Sequence, residues 1–448
     1  VKEMERLRAV LGSGAYPGMG TGDTDLYKAF CWRFWNLAAA DGGRIGVVLP
    51  RSALAAKGSE EFRKAVFPAA AFLDLTMLVN NRQWVFPNVH PQYTIALAAL
   101  SRGQAEGKSI ALRGPFSSLR AFDLGHDEAP ALFSATEVMS WNDTASLPLL
   151  PTERSTEVFA QLRKSPRLDL NDGKSWRARP DTELHATAQK PLMDLVSTEC
   201  PKGFWPVFKG ESFDIWVPDT GEYYAFADPD VVIPWLYAKR LKSGKGARDS
   251  VHKEFTIAQR QDKSTMACHY PRIAFRDVSR ATDTRTLRAC LVPPKVFIAN
   301  QAPYLLWPRG DAKDQAFLLG ALCSIPMDWY ARRFVENHLN FFVFNPLPVP
   351  RPSRTDARWA RVVAIAGRLA APDARFSDWA KTVGVKHGPL KADEPEDMTA
   401  ELDAVVAHLY GLSEGQLIHL FETFHEGWDY TARLAAVRKH YKVWRGKA

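Results

Sequence analysis

The sequence predicts an α/β protein that passes into a mixed α+β region and ends in helices. Three observations carry this. Apolar runs of strand length alternate with helical spacings across the first hundred residues. From Phe204 the texture changes to short aromatic runs separated by turns. From Ala357 onward apolar residues recur at helical spacing.

Asp23–Ala40 carries Leu26, Phe30, Phe34 and Leu37 on one helical face, with Asp23 as N-cap and Gly42-Gly43 as the stop. Ile45–Leu49 is a short apolar run closed by Pro50, the pattern of a buried parallel strand. Ser59–Val66 predicts a helix capped by Ser59. Phe72–Val79 and Tyr93–Leu100 predict strands joined by a polar and aromatic loop, Asn80–Pro91. Strand–helix–strand alternation predicts an open, mostly parallel sheet. Ser101–Lys108 reads as a linker and Ile110–Pro191 as an irregular spacer. Phe204–Phe208, Phe213–Val217, Tyr223–Phe226, Arg272–Phe275 and Lys295–Asn300 predict short strands. Asp314–Arg333 predicts a helix kinked or divided at Pro326. Phe341–Pro352 predicts an extended edge, and Ala357–Leu369, Thr399–Leu409, Ser413–Phe421 and Tyr430–Tyr441 predict helices. The domain boundaries read from these shifts are 1–105, 106–195, 196–352 and 353–448.

A chain of 448 residues with 46% hydrophobic and 24% charged residues is neither collagenous nor disordered. No stretch is long and apolar enough to span a bilayer, so no membrane partner is expected. The best candidate, Ala316–Phe334, is broken by Pro326, Asp328, Arg332 and Arg333. The opening Val1-Lys2-Glu3-Met4 carries neither an initiator Met nor a signal peptide, which predicts a start inside a longer protein. Five dispersed cysteines suit a reducing cytosol and form no Cys-x-x-Cys knuckle. The net charge of +8 is concentrated. Lys239–Arg288 holds thirteen basic and five acidic residues, which equals the whole excess. A focused basic segment is what phosphate contact requires. A solvated basic face is the alternative.

No complete catalytic set is present. There is no phosphate-binding Gly-x-x-x-x-Gly-Lys loop and no Gly-x-Ser-x-Gly elbow. Cys268-His269 lacks a second pair at metal spacing and reads as structural, so no metal is expected. His408, His419 and His425 read as surface or capping residues, and Glu60–Lys64 as a solvated helix face. The glycines of Gly12–Gly14 and Gly18–Gly20 read as a flexible entry loop.

Several segments together resemble one family. Tyr16–Asp23, Asp25–Phe30 and Gly42–Pro50 resemble the second half of an N6-adenine DNA methyltransferase domain. The pattern is that of large enzymes in which a target-recognition domain follows the methylase, such as type IIG restriction–modification and phage-defence methylases. Asn81-Arg82, Phe86-Pro87 and His90–Tyr93 resemble the loop between the last strands of that domain. Arg272–Val278 with Thr282–Leu287, and Leu319–Ser324 with Asn345–Pro350, resemble its recognition region. Glu401–Ala404 with Leu409–Leu412 resembles its C-terminal ending. The fold implied is the distal half of a class I methyltransferase-like sheet, then a mixed α+β target-recognition domain and a helical C-terminal tail.

The family's glycine-rich S-adenosylmethionine loop and its Asn/Asp-Pro-Pro-aromatic motif are both missing. Asn345-Pro346 is followed by Leu347 and stands too late. Both elements precede Tyr16 in family order. The cofactor would therefore be bound by a missing upstream part, either an N-terminal methyltransferase half or a partner subunit. On its own this chain should not methylate anything, and no catalytic residue is assigned. The other partner implied is double-stranded DNA. An aromatic in the loop matching Trp84–Pro87 stacks on the target adenine, which points to Phe86 and then Trp84. The plain alternative is that Phe86 is core. Asn80, Asn81 and Arg82 either contact the flipped nucleotide or are turn residues. Arg272, Arg276, Arg280 and Arg285 match the DNA-facing region, and some of them pair with Asp277 or Asp283 instead. Lys239, Arg240, Lys242, Lys245 and Arg248 read as a mobile phosphate-binding loop or a disordered surface loop. Asn300 and Gln301 are candidates for adenine contacts. The competing function is a non-catalytic DNA-recognition subunit of a defence complex, and a third is an unrelated basic enzyme.

Overall fold

The computed structural model describes residues 2–14, 16, 19, 24–91, 93–103, 109–150, 152–246, 250–281, 283–425 and 427–447. The chain divides into two compact units, 1–160 and 161–448.

The first unit opens with α1 (Lys2–Leu11), where the sequence pattern predicts no element. Most of the Tyr16–Asp23 motif, with the predicted Asp23 cap, lies outside the described residues. Helix α2 (Leu26–Leu37) follows Asp25 and buries Ala29, Cys31 and Trp35. Then come β1 (Arg44–Pro50), α3 (Ser52–Ala55), α4 (Glu60–Ala69), β2 (Ala70–Val79) and β3 (Thr94–Arg102). Strands β4 (Ser109–Phe116) and β5 (Ala131–Ser134) lie where a spacer was expected, with α5 (Leu119–Gly125) between them. The unit closes on α6 (Ala135–Trp141), and α7 (Glu153–Arg163) carries the chain onward.

The five strands form one sheet in the order β1-β3-β2-β4-β5. It is not mostly parallel. Strand β3 runs antiparallel to both β1 and β2, β4 runs antiparallel to β5, and only β2 and β4 are parallel. The cause is the β2–β3 connection. Among the described residues of 80–93 there is no crossover α-helix, so the chain turns straight back along β2.

Helix α4 corrects a second expectation. Glu60 and Lys64 do form a surface ion pair, but Arg63 between them is fully buried. It donates to the carbonyls of Thr144 (Nη2, 2.8 Å), Ala53 (Nη1, 3.1 Å) and Ala56 (Nη2, 2.8 Å). Burial lowers its pKa to about 9.

In the second unit, β6 (Arg177–Asp181), β7 (Trp205–Phe208) and β8 (Ala225–Ala227) precede α8 (Pro229–Lys245) and α9 (Ile257–Gln261). Strands β9 (Arg272–Phe275), β10 (Ala289–Val292), β11 (Phe297–Ile298) and β12 (Tyr304–Arg309) follow. They make a four-stranded sheet, β10-β9-β12-β6, and a three-stranded one, β11-β7-β8. Phe213–Val217 is not a strand. Trp216 has φ of 62°, and Asp214 and Val217 bridge only each other.

Helices α10 (Ala312–Cys323) and α11 (Ile325–Arg332) divide at Ser324, with Pro326 in the first turn of α11 where its missing N–H is harmless. The start of Phe341–Pro352 is a short helix, α12 (Phe341–Phe344), rather than an extended edge. Phe344 stacks on Phe275 with ring centroids 4.1 Å apart, which draws the segment into the core.

The tail comprises α13 (Ala357–Leu369), α14 (Ser377–Val383), α15 (Glu394–Leu409), α16 (Glu414–Glu422) and α17 (Thr431–Trp444). A Cβ at Gly320 of α10 would sit 2.7 Å from Val362 Cγ1, so only glycine permits this approach of α10 to α13. Asp403 of α15 is fully buried, accepts from the Ile325 N–H (2.9 Å) and pairs with Arg433 (2.8 Å). His419 is not a surface residue, whereas the half-buried His408 does cap, its Nε2 lying 2.8 Å from the Tyr441 carbonyl in the last turn of α17. His408 stacks on Tyr441 at 3.9 Å, and His419 is 4% exposed.

Candidate nucleic-acid interface

In the first unit the candidate residues lie in the β2–β3 loop. Asn80 is fully buried. Its Oδ1 accepts from the N–H groups of Val85 (3.1 Å) and Phe86 (3.0 Å). Its Nδ2 donates to the carbonyls of Phe86 (3.0 Å) and Val89 (2.9 Å). Asn80 therefore shapes the loop and has no group left for a nucleotide. Trp84 is half-buried and donates from Nε1 to the Val79 carbonyl (2.7 Å), with its ring 6.5 Å from that of Phe122. Its indole is a wall of the loop. Phe86 is 41% exposed even though its backbone is fixed on both sides by Asn80. Asn81 and Arg82 are exposed. Arg82 and Gln83 both take left-handed backbone conformations, φ 54° and 60°. Two adjacent non-glycine residues in that region are strained, and such strain persists only where the surroundings impose it.

In the second unit the basic segment separates into buried and open groups. Arg272 is 3% exposed, pairs with Glu183 at 2.9 Å, and donates to the Ala267 and Val296 carbonyls. It is a structural arginine and does not face solvent. Arg285 pairs with the fully buried Asp328 and donates to the Cys323 carbonyl (2.7 Å). Desolvation opposes its charge, but Asp328 outweighs it and raises the Arg285 pKa. Arg276 donates to the Phe213 carbonyl and lies 3.5 Å from Asp214. The arginines do not pair with Asp277, which contacts His338 at 3.2 Å. Arg280 remains exposed, and its backbone N–H donates to Asp283. Asn300 Oδ1 accepts from the Ala186 N–H (2.9 Å), and Gln301 is half-buried, its carbonyl accepting from the Asp277 N–H.

The expected mobile loop from Lys239 to Lys245 is the last part of α8, a helix capped by Asp228 and started by Pro229. Arg248 lies outside the described residues. Gly244 is buried within α8, and its carbonyl accepts from Arg260 (2.7 Å). Lys239 donates to the Thr182 and Glu183 carbonyls, and Arg240 to Thr265 (2.7 Å). Both line a cavity of about 330 Å³ with His252, Tyr304 and Trp307. Asp181 pairs with His252 at 3.2 Å and Glu183 with Arg272 at 2.9 Å in its wall, while Lys239 and Arg240 are held by neutral groups and Trp307 Nε1 is buried without a partner.

Among the described residues of the basic segment, the open cations are Lys242 and Lys245 on α8, with Lys253, Lys263 and Arg280. Lys253 and Lys263 belong to the same basic stretch, but charge alone carries no sign of which cations face solvent. Replacing both Lys242 and Lys245 by Ala is expected to weaken duplex binding. It should also make log affinity less steep against log salt, by about one for each phosphate no longer neutralised. Anisotropy titrations across salt check this, and an unchanged slope would remove α8 from the interface.

Cys268 is buried and its thiol is pushed up to about 12, so it is inert rather than a ligand. Among the described residues no His/Cys/Asp/Glu group could hold a metal. Among the described residues, the turn after β1 offers S-adenosylmethionine no fitting cradle. The strand-to-helix turn after β1 runs through Pro50-Arg51-Ser52 and has no glycine to let backbone approach a ligand. No methyl-transfer step is derived through this chain's own residues. No helix among the described residues is long and apolar enough to cross a membrane.

No family model and no curated protein matches this sequence. Among solved structures, the chain is similar to the Type IIL restriction-modification enzyme MmeI in complex with DNA, with a TM-score of 0.45 and 12% identity over 94% of this chain and 54% of that one. It is also similar to a DrdV–DNA complex determined by cryo-electron microscopy, with a TM-score of 0.31 and 10% identity over 82% of this chain and 41% of the other. The chain thus spans about half the length of the structures it matches.

Proposed function

We propose that this chain is the DNA-recognising, target-base-binding portion of a site-specific adenine-N6 DNA methyltransferase of the restriction–modification or phage-defence kind. S-adenosylmethionine would be held by a methyltransferase half outside these residues, and double-stranded DNA is the substrate. The observation that carries the reading is Phe86. It is an apolar ring left 41% exposed on a loop whose backbone is locked by a fully buried asparagine. Exposure of that kind suits a face on which an extruded base rests, because chemistry on a stacked base requires removing it from the duplex. The ordered motifs from Asp25 to Leu412, which resemble that family, support the reading, as do the open lysines of the second unit, which suit phosphate contact.

The test is base flipping in the complete enzyme. A duplex with 2-aminopurine at the target adenine should brighten on binding wild type. With Phe86→Ala the signal should fall several-fold while duplex affinity changes little. Wild-type brightening by the variant would contradict the assignment.

A further inference from the structure

One cavity in the second unit is lined by none of the family-like motif residues. It measures about 410 Å³ and opens between the 174–176 segment, the end of β12 and the segment after residue 350. Lys174, Arg309, Arg351 and Arg354 line it, and the one carboxylate among the lining residues is Asp314.

The four cations differ in how they are balanced. Arg354 is neutralised, pairing with Asp311 (2.8 Å) and Asp314 (2.6 Å). Arg309 and Arg351 are held differently. Arg309 donates to the Ser175 carbonyl (3.1 Å) and to Asn171 Oδ1 (2.9 Å). Arg351 donates to the Trp176 (2.8 Å) and Leu168 (3.0 Å) carbonyls and lies 3.3 Å from the centroid of the Trp176 ring. Neither has a carboxylate at ion-pair distance among the described residues. The Nε of Arg351 is buried and lacks a hydrogen-bond partner. Burial lowers the Arg351 pKa to about 10, although Asp172 and Asp314, beyond ion-pair distance, act in the opposite direction.

Neutral oxygens fix these guanidinium groups in direction without cancelling their charge. A desolvated cation without a counter-ion is costly unless an anion arrives. Arg63 of the first unit is likewise held by carbonyls, but it is fully buried. Arg309 and Arg351 instead line an open cavity whose wall also includes the exposed Lys174. The site is also shaped closely. Gly310 has φ of 119°, and a Cβ there would meet Trp176 Cβ at 3.0 Å and Asp314 Oδ2 at 3.1 Å.

We propose that this cavity is a phosphoryl-anion site in which Arg309, Arg351 and Lys174 together receive the oxygens of a phosphate group. Arginine takes such oxygens in pairs and lysine as a point charge. The phosphate has two possible sources, a DNA backbone and a free phosphate ester. Only the DNA source rests on the function proposed above.

The test uses the full chain and the Lys174→Ala/Arg309→Ala variant, with Lys174→Ala alone as a variant that removes no internal contact of the fold. Inorganic phosphate is titrated by calorimetry at low salt, and a short duplex by anisotropy. Wild type is expected to bind phosphate, and the double variant to lose affinity by on the order of tenfold. If duplex affinity falls in parallel, with a flatter salt dependence, the phosphate belongs to DNA. If duplex affinity holds while phosphate binding is lost, the ligand is a free phosphate ester. Unchanged duplex binding together with no phosphate binding by wild type overturns the site. Loss of duplex binding on replacing Lys242 and Lys245, with no effect at Lys174 and Arg309, would overturn this site and leave the proposed function standing. A wild-type chain that binds phosphate but no duplex would do the reverse.

Discussion

Arg272→Ala is expected to destabilise the second unit by about 3–5 kcal/mol, the usual consequence of removing one partner of a buried ion pair. Arg272 and Glu183 are both 3% exposed and 2.9 Å apart. Glu183 also accepts from the Ile298 N–H (2.8 Å), so the pair ties β9, β11 and the segment after β6 together. Burial already raises the Glu183 pKa, and Arg272 is the main influence lowering it. Without Arg272 the folded carboxyl holds its proton to still higher pH than the unfolded chain does. The sign follows. The variant's deficit is smallest at acid pH, where Glu183 is protonated in both folded proteins, and it grows as pH rises through the wild type's already raised folded value toward the variant's higher one. Adding Glu183→Gln should recover part of the loss. Urea unfolding followed by circular dichroism at several pH values measures this. A variant as stable as wild type, and weakened only in DNA binding, would return Arg272 to the interface.

Asn80→Ala should cost about 2 kcal/mol in the first unit, because it strips the Val85 and Phe86 N–H groups of their acceptor, while the Phe86 and Val89 carbonyls keep one donor each, the Val89 N–H and Gln83 Nε2. Its effect on function should match that of Phe86→Ala although Asn80 itself has no exposed surface. Phe86 keeps its ring but loses the frame that presents it. Thermal melts and limited proteolysis of residues 80–93 check the first part, and 2-aminopurine fluorescence checks the second. An Asn80→Ala protein with an unshifted melt and intact flipping would mean that the loop is held by something else.

These two residues mark what was legible. Strands β1, β2 and β3 stood out because long apolar runs have few alternatives. Strand β4 alternates buried Ile110 and Leu112 with more open neighbours, yet Gly114-Pro115 reads as a turn and concealed it. Strand direction was not legible, because it depends on the path of residues 80–93 and not on their composition. The same holds for charge. Composition located the basic segment, but Arg272, Arg276 and Arg285 act inside the fold because Glu183, Asp214 and Asp328 come from distant parts of the chain. The cavity at Arg309 and Arg351 was invisible for that reason, since its cations lie far apart in sequence. Phe86 was singled out by resemblance and Asn80 as a neighbouring loop residue, and only the hydrogen bonds show that Asn80 frames the loop that carries Phe86.

The most direct measurement is transfer of a labelled methyl group from S-adenosylmethionine to duplex DNA by the native assembly that contains this chain, followed by mass spectrometry of the bases. The account predicts N6-methyladenine at a single sequence context, lost when these 448 residues are removed and reduced by Phe86→Ala. Label on another base, or undiminished adenine methylation without this chain, would contradict it.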